Sequence, residues 1–156
     1  MEIHDLIQRL AENARRVEAL FEGLSEDEAR RAPAPTEWSA VAVLTHIRTA
    51  EAIMMPRLMQ ILVRPGVRVP DMDEHRWAAL LARARLPIGQ QVEAFAARRR
   101  ELVGLLLTLT PEEWATTGEH ELLGEITARG IAEHAAAHEQ EHIQQIEAVR
   151  RSIGRP

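Results

Sequence analysis

Cysteine is absent from the sequence, and this absence excludes a whole group of chemistries. The chain can form no disulfide, offers no thiolate ligand to a metal ion and has no cysteine nucleophile. A thiol that took part in its chemistry would have to arrive with a substrate. Histidine and carboxylate side chains remain as the candidates for metal binding or catalysis, and the chain contains 7 histidines.

An excess of positive charge is also missing, because 19 Lys and Arg residues stand against 24 Asp and Glu residues, a formal net charge of -5. This balance argues against a nucleic-acid partner. No uninterrupted apolar segment reaches the length of a membrane span, so we expect no membrane association. The amino-terminal residues carry charges throughout and lack the basic start and apolar run of a signal peptide. We therefore expect a cytoplasmic protein.

What the sequence does contain is a helical spacing of apolar residues, on a chain of 156 residues that is typical of one domain. We predict a single domain over 1–156. Proline and glycine separate the helical stretches, and the pairs Ser25/Glu28 and Thr110/Glu113 have the spacing of capping boxes. Long helices are predicted over 3–21, over 40–63 with Thr36 or Ser39 as the cap, through 92–106, and from about 127 to 152.

The connections between these helices are long but carry little regular pattern. A short helix is predicted after Asp73, while residues 67–69 form too short a run to be predicted as a strand. Residues 110–127 are interpreted as a connector punctuated by glycine. Four long helices joined by two lengthy crossovers favour an all-α four-helix bundle with short extra helices.

Three histidines lie four residues apart in the stretch "AEHAAAHEQEHIQQI", residues 132–146. His138 and His142 belong to the single apolar stripe of the last predicted helix, so both are expected to face the bundle core. A buried imidazole needs a partner for each ring nitrogen, and either a metal ion or carboxylates and water would satisfy it. His134 lies at the edge of the stripe and is expected at the surface or in support of the pair.

A divalent ion held by imidazoles needs at least a third ligand, and His46 is the best candidate. It lies in "VLTHIRTAE", inside the most hydrophobic predicted helix, on a line with other core residues. The pattern therefore predicts a three-histidine site made of His46, His138 and His142. The remaining histidines are interpreted as background, although His120 has a position that could lie over the mouth of a cleft.

The string "HEQEH" also matches the H-E-x-x-H pattern of zinc peptidases, in which Glu139 would act as general base. An extended motif of that kind requires glycine and histidine where this chain has Gln145 and Ala148. The pattern therefore does not favour a peptidase. Glu51, and Glu139 or Glu141, could orient a ligand or relay a proton, but they are interpreted as solvated charges on helix surfaces and are left out of the catalytic assignment.

Two segments resemble the DinB-like (YfiT-like) family. "PTEWSAVAVLTHIRTAE" is similar to that family's second helix, and "HEQEHIQQI" is similar to its last-helix motif. "MDEHRW", "FAARRRELVGLLLTLTPEEW" and "TGEHELLGEIT" fit the family's spacing, so the resemblance covers nearly the whole chain. It implies a four-helix bundle, often dimeric, with a divalent metal held by His46, His138 and His142. Similar members include thiol-dependent S-transferases that use bacillithiol or mycothiol.

Together these patterns predict a metal-dependent enzyme, a transferase or hydrolase, whose ion is zinc or nickel. It would activate a thiol or water for S-transfer or hydrolysis on a small electrophile. The alternative is a non-catalytic, stress-related metal-binding protein, and a solvent-open pocket beside the ion would distinguish the two. The expected partners are a small-molecule substrate, a low-molecular-weight thiol and a second copy of the chain. A homodimer is expected because the second predicted helix is apolar on more faces than one core uses.

Overall fold

The computed structural model describes residues 1–155, and within them it contains seven helices and three short strands. In chain order the elements are α1 (Ile3–Phe21), α2 (Glu26–Arg30), α3 (Ala40–Val63), β1 (Arg68–Val69), α4 (Glu74–Ala82), α5 (Ile88–Leu106), α6 (Pro111–Trp114), β2 (Thr117–His120), β3 (Gly124–Thr127) and α7 (Ala128–Ser152).

The four long helices α1, α3, α5 and α7 pack against one another as a bundle. α1 is amphipathic and turns its apolar stripe, including Leu6, Leu10 and Val17, completely into the core. α3 is apolar on most of its circumference, and it is buried along most of its length because α4, α5 and α7 all pack on it. The prediction of an all-α four-helix bundle with short extra helices is therefore confirmed.

The apolar core consists of two clusters, one towards each end of the bundle. Between them, each long helix contributes one buried polar residue at the boundary, and these four residues are called the polar layer below. The polar layer consists of Asn13 on α1, Glu51 on α3, Arg99 on α5 and Glu139 on α7.

Five of the seven helices in residues 1–155 start at a side-chain cap. Ser39 is the N-cap of α3, where its hydroxyl accepts a hydrogen bond from the Ala42 amide at 3.2 Å. Capping boxes form at Ser25/Glu28 and at Thr110/Glu113 as predicted. Each cap satisfies backbone N–H groups that have no partner within the first turn of a helix, which fixes where the chain enters the bundle.

A three-stranded sheet joins the two crossovers, and the sequence did not predict it. β1 pairs with β2 in parallel, and β2 pairs with β3 in antiparallel register, with Thr117 opposite Thr127. The strands are only two to four residues long, so they show no alternating pattern. Gly118 lets β2 lie against α3, because a Cβ at this position would stand 2.4 Å from Ile61 Cγ2.

The sheet also places α4, which begins five residues after β1 ends. α4 packs against α3 but contributes no buried residue to the core, so its position depends on the strand before it and on the Asp73 cap. Glu74, the first residue of α4, is thereby brought to the same end of the bundle as His46. None of the helices within residues 1–155 is both long enough and apolar enough to cross a membrane.

Candidate metal centre

Three histidine side chains meet at one point between α3 and α7. His46 Nε2 lies 3.0 Å from His138 Nε2, and His142 Nε2 lies 3.1 Å from the same atom. One nitrogen from each of the three residues falls within 4.8 Å of the other two. Bonds of 2.0–2.1 Å to a tetrahedral ion require about 3.3 Å between ligand nitrogens. The three residues singled out by the sequence are therefore close to the spacing that one ion needs.

The protonation of these imidazoles favours a cation at their centre. The Nδ1 of His142 lies 2.9 Å from the side-chain oxygen Oε1 of Gln145, so Nδ1 donates its proton to that oxygen and Nε2 presents a lone pair. With that nitrogen bare, only one of the two Nε2–Nε2 contacts around His138 can be a hydrogen bond. A divalent ion would satisfy all three lone pairs, so the residues present fit such a group.

Burial keeps two of the imidazoles neutral, which ligation requires. Desolvation, followed by the neighbouring charges of His142 and His75, lowers the pKa of His46 to about 4. Desolvation, followed by the other cluster histidines, lowers the pKa of His138 to about 3. A site that resists protonation in this way has its lone pairs available throughout the neutral pH range.

Aromatic rings surround the cluster. Trp38 lies edge-on to His46, with ring centroids 5.1 Å apart, and stacks on His142 at 6.3 Å. His75, which was interpreted from the sequence as background, stacks on His46 with ring centroids 5.5 Å apart. His134 is exposed and stacks on His138 at 5.8 Å, where its ring is available to support the cluster from outside.

Glu74 is a candidate functional residue that the sequence analysis missed. Its Oε1 lies 3.5 Å from His46 Nε2 and 3.9 Å from His138 Nε2. That oxygen is buried and has no hydrogen-bond partner among residues 1–155, and burial raises the pKa of the carboxyl group. α4 has no apolar stripe facing a core, so the sequence contains no periodicity that would reveal an inward carboxylate at its first position.

Two carboxylates interpreted from the sequence as solvated are in fact buried, so that interpretation was wrong. Glu51 is 2% exposed and Glu139 is 1% exposed. Both contact the guanidinium of Arg99, which is itself 2% exposed and bonds Glu139 through two nitrogens. Burial raises the pKa of Glu51 to about 7, because one guanidinium shared by two carboxylates offsets only part of the desolvation.

Two cavities open beside the cluster. The larger, about 540 Å³, has Trp38 and His142 in its wall and extends along the outer turn of α7 to Ser152. A second, about 260 Å³, lies on the other side of Trp38 beside His46 and His75, under the alanine face of α4. His120 is not part of either wall: it is buried under Asp71 and lines a separate cavity with His134. A small molecule therefore has direct access to two of the three histidines.

This protein is therefore a helical bundle with a candidate metal site between two facing helices, α3 and α7. The sequence pattern of the DinB superfamily matches residues 9–146. The chain belongs to this superfamily, as the resemblance of its second and last helices indicated.

Comparison with individual proteins agrees with this assignment. The chain is 23% identical over 145 residues to a protein of Oceanobacillus iheyensis named "Putative metal-dependent hydrolase", and the match covers 93% of this chain and 83% of that protein. YfiT from Bacillus subtilis, described as "a probable metal-dependent hydrolase with an unusual four-helix bundle topology", superposes with a TM-score of 0.89 at 18% identity, covering 99% of this chain and 89% of YfiT. The DinB-like protein YjoA of Bacillus subtilis gives a TM-score of 0.67 at 18% identity, covering 97% of this chain and 94% of that one.

Proposed function

We propose that this protein is a metal-dependent hydrolase of small electrophilic substrates, with a divalent ion, zinc or nickel, held by His46, His138 and His142. The observation that carries the proposal is the convergence of three Nε2 atoms, with contacts of 3.0 and 3.1 Å, where one of the three histidines, His142, lines an open cavity. The names of the Oceanobacillus and Bacillus relatives support hydrolysis as the type of reaction. An open cavity beside His142 favours an enzyme over a storage or interaction protein, because a closed site would serve binding alone.

In this proposal the three histidines hold the ion and a separate residue, Glu74, accepts a proton. When bound, the ion supplies Lewis-acid activation of a nucleophile and of the substrate's carbonyl or similar group. Glu74 is placed to accept the proton of that nucleophile, since its free Oε1 faces the cluster and its raised pKa makes it a stronger base than an exposed glutamate. Trp38 forms the wall against which the apolar part of a substrate packs.

The volume of the cavity supports S-transfer as a second candidate reaction. About 540 Å³ is more room than water and a small electrophile need, so a low-molecular-weight thiol fits beside the substrate. The chain has no cysteine, and such a thiol would therefore be a cosubstrate. Glu74 would then take the thiol proton in the same position.

The test begins with zinc and nickel titrations of the metal-free protein by calorimetry, compared across His138→Ala, His134→Ala and Glu74→Gln. We expect one strong site per chain that His138→Ala abolishes and that His134→Ala leaves largely intact. Glu74→Gln is expected to keep the ion but to lower turnover of activated esters and other electrophiles by about 10²–10⁴-fold. Turnover with and without added cysteine or glutathione as probe thiols separates hydrolysis from S-transfer. A wild-type chain that binds neither ion, or a His134→Ala variant as defective as His138→Ala, would contradict the proposal.

A further inference from the structure

Arg99 lies at the centre of the polar layer and contacts all of the other three long helices. Its Nη1 donates to the Leu10 carbonyl of α1 at 3.0 Å and to Glu139 Oε2 of α7 at 2.8 Å. Its Nε donates to Glu51 Oε1 of α3 at 3.1 Å. One side chain from α5 therefore joins α1, α3 and α7 at a single level of the bundle.

A second buried residue fixes α7 at the same level. Asn13 of α1 donates through Nδ2 to Glu139 Oε2 at 3.2 Å and to the Ala136 carbonyl at 3.1 Å. The two contact points on α7 lie on either side of His138 in the sequence. This turn of α7 is consequently held by directional hydrogen bonds as well as by apolar packing.

The two apolar clusters above and below the polar layer supply the hydrophobic packing of the bundle. Replacing a buried group of ions by apolar residues of similar volume is often neutral or stabilising. The best-attested use of buried polar residues between packed helices is to select one register among several that apolar contacts would allow. The position of this layer therefore matters more than its contribution to stability.

On both α3 and α7, the polar-layer residue lies close in sequence to a histidine of the metal site. Glu51 follows His46 by five residues on α3, and Glu139 directly follows His138 on α7. Arg99 binds both carboxylates, so a slide or rotation of α3 against α7 would break at least one of these contacts. The same movement would separate His46 from His138, whose nitrogens are only 3.0 Å apart.

We infer that Arg99 is a positioning residue for the metal centre: with Glu51 and Glu139 it holds α3 and α7 in the one register in which His46 meets His138. This inference rests on the proposed metal site. In this view the polar layer preorganises the three histidines, and the apolar clusters stabilise the fold.

The test replaces the charged members of the layer together, by Glu51→Met, Arg99→Met and Glu139→Leu, so that no buried charge is left without a partner. The matched control is Arg48→Met, which removes another buried arginine. The Nη1 of Arg48 donates to Gln91 Oε1 at 3.1 Å, a contact that joins α3 to α5 and does not reach α7. We expect the triple variant to keep its helical circular dichroism and a melting temperature at least equal to that of the control. Its zinc affinity should nevertheless fall by at least about tenfold, the scale of lost support around ligands, while the control keeps wild-type affinity.

Two further readouts report the arrangement of the ligands directly. The visible spectrum of bound cobalt is expected to change in the triple variant and not in the control. In the metal-free protein, the nuclear Overhauser contact between the rings of His46 and His138 is expected to weaken. A folded triple variant with wild-type zinc affinity and this contact intact would overturn the inference, whereas a wild-type chain that binds no zinc would overturn the metal site instead.

A single conservative change covers the case in which the triple variant does not fold. Arg99→Lys keeps the charge but replaces the guanidinium, whose Nε, Nη1 and Nη2 meet acceptors on three helices, by a single nitrogen that cannot occupy all three positions. We expect an affinity between those of the wild type and the triple variant. Unchanged zinc affinity in this variant would also overturn the inference.

Discussion

The raised pKa of Glu51 makes a quantitative prediction about how stability depends on pH. Burial raises this pKa from 4.5 to about 7 in the folded chain. Because the folded state holds the Glu51 proton more tightly than the unfolded state does, stability that is present below pH 4.5 is lost as pH rises towards 7. A rise of about 2.5 in pKa corresponds to about 3 kcal/mol, at 1.36 kcal/mol per pKa unit.

The perturbation that isolates this effect is Glu51→Gln, which keeps an oxygen acceptor for Arg99 but cannot ionise. Between pH 5 and pH 8 the wild-type chain should lose about 2.5 kcal/mol through Glu51, since part of the effect is already lost at pH 5, and the variant should not. Urea unfolding of the metal-free proteins at both pH values, followed by circular dichroism, measures the difference. The histidines titrate equally in both proteins, so their contribution cancels when the two pH dependences are subtracted.

The matched control is Glu101→Gln, which removes an exposed carboxylate from α5. It should leave the pH dependence of the unfolding free energy within about 0.5 kcal/mol of wild type. If Glu51→Gln and wild type show the same pH dependence, then Glu51 ionises as freely as a surface glutamate and the reasoning about its burial is refuted.

Three other measurements test the metal centre and the assembly. Metal affinity should hold at neutral pH and fall steeply as the pH approaches 4, because protonation of His46, whose pKa burial lowers to about 4, removes a lone pair from the site. In the metal-free protein, the lowered pKa values of His46 and His138 should make stability fall as pH drops below 6.5, and urea unfolding of His46→Gln should show a shallower fall. Chelation should remove activity and lower the melting temperature while helical circular dichroism at 25 °C stays nearly unchanged, since neither apolar cluster contains any of the three histidines. Global loss of helix would show that the ion is structural. In sedimentation equilibrium at micromolar concentration the chain should behave as a homodimer, because exposed apolar residues such as Val63 and Leu123 are available for contact. A single species near 17.6 kDa would reject the homodimer.

The bundle and the histidine cluster could be predicted because their signals are local to one helix. Ser39 caps its own helix, and His138 and His142 lie on one apolar stripe whatever the rest of the chain does. His46 could be added because its surroundings on α3 are hydrophobic on nearly every side. In each case the residue and its neighbours within a few turns carry the information.

The polar layer could not be predicted in this way, since its burial depends on residues far apart in the chain. Glu139 is buried because Arg99 reaches it from 40 residues away, and Arg99 lies in the run "ARRRE", which is typical of a solvated face. Glu74 was missed for a related reason. Its helix has no inward stripe, and only the packing of α4 on α3 in the folded chain brings it to His46.

The lack of buried residues on α4 has an evolutionary consequence. Substitutions at exposed positions usually change stability by no more than about 0.5 kcal/mol, so this helix can accept new side chains without endangering the fold. Ala78, Ala79 and Ala82 form one wall of the cavity beside His46, and larger or polar residues there would reshape it. A lineage could therefore exchange one substrate for another by point mutation on α4, while the histidines and the bundle that supports them descend unchanged.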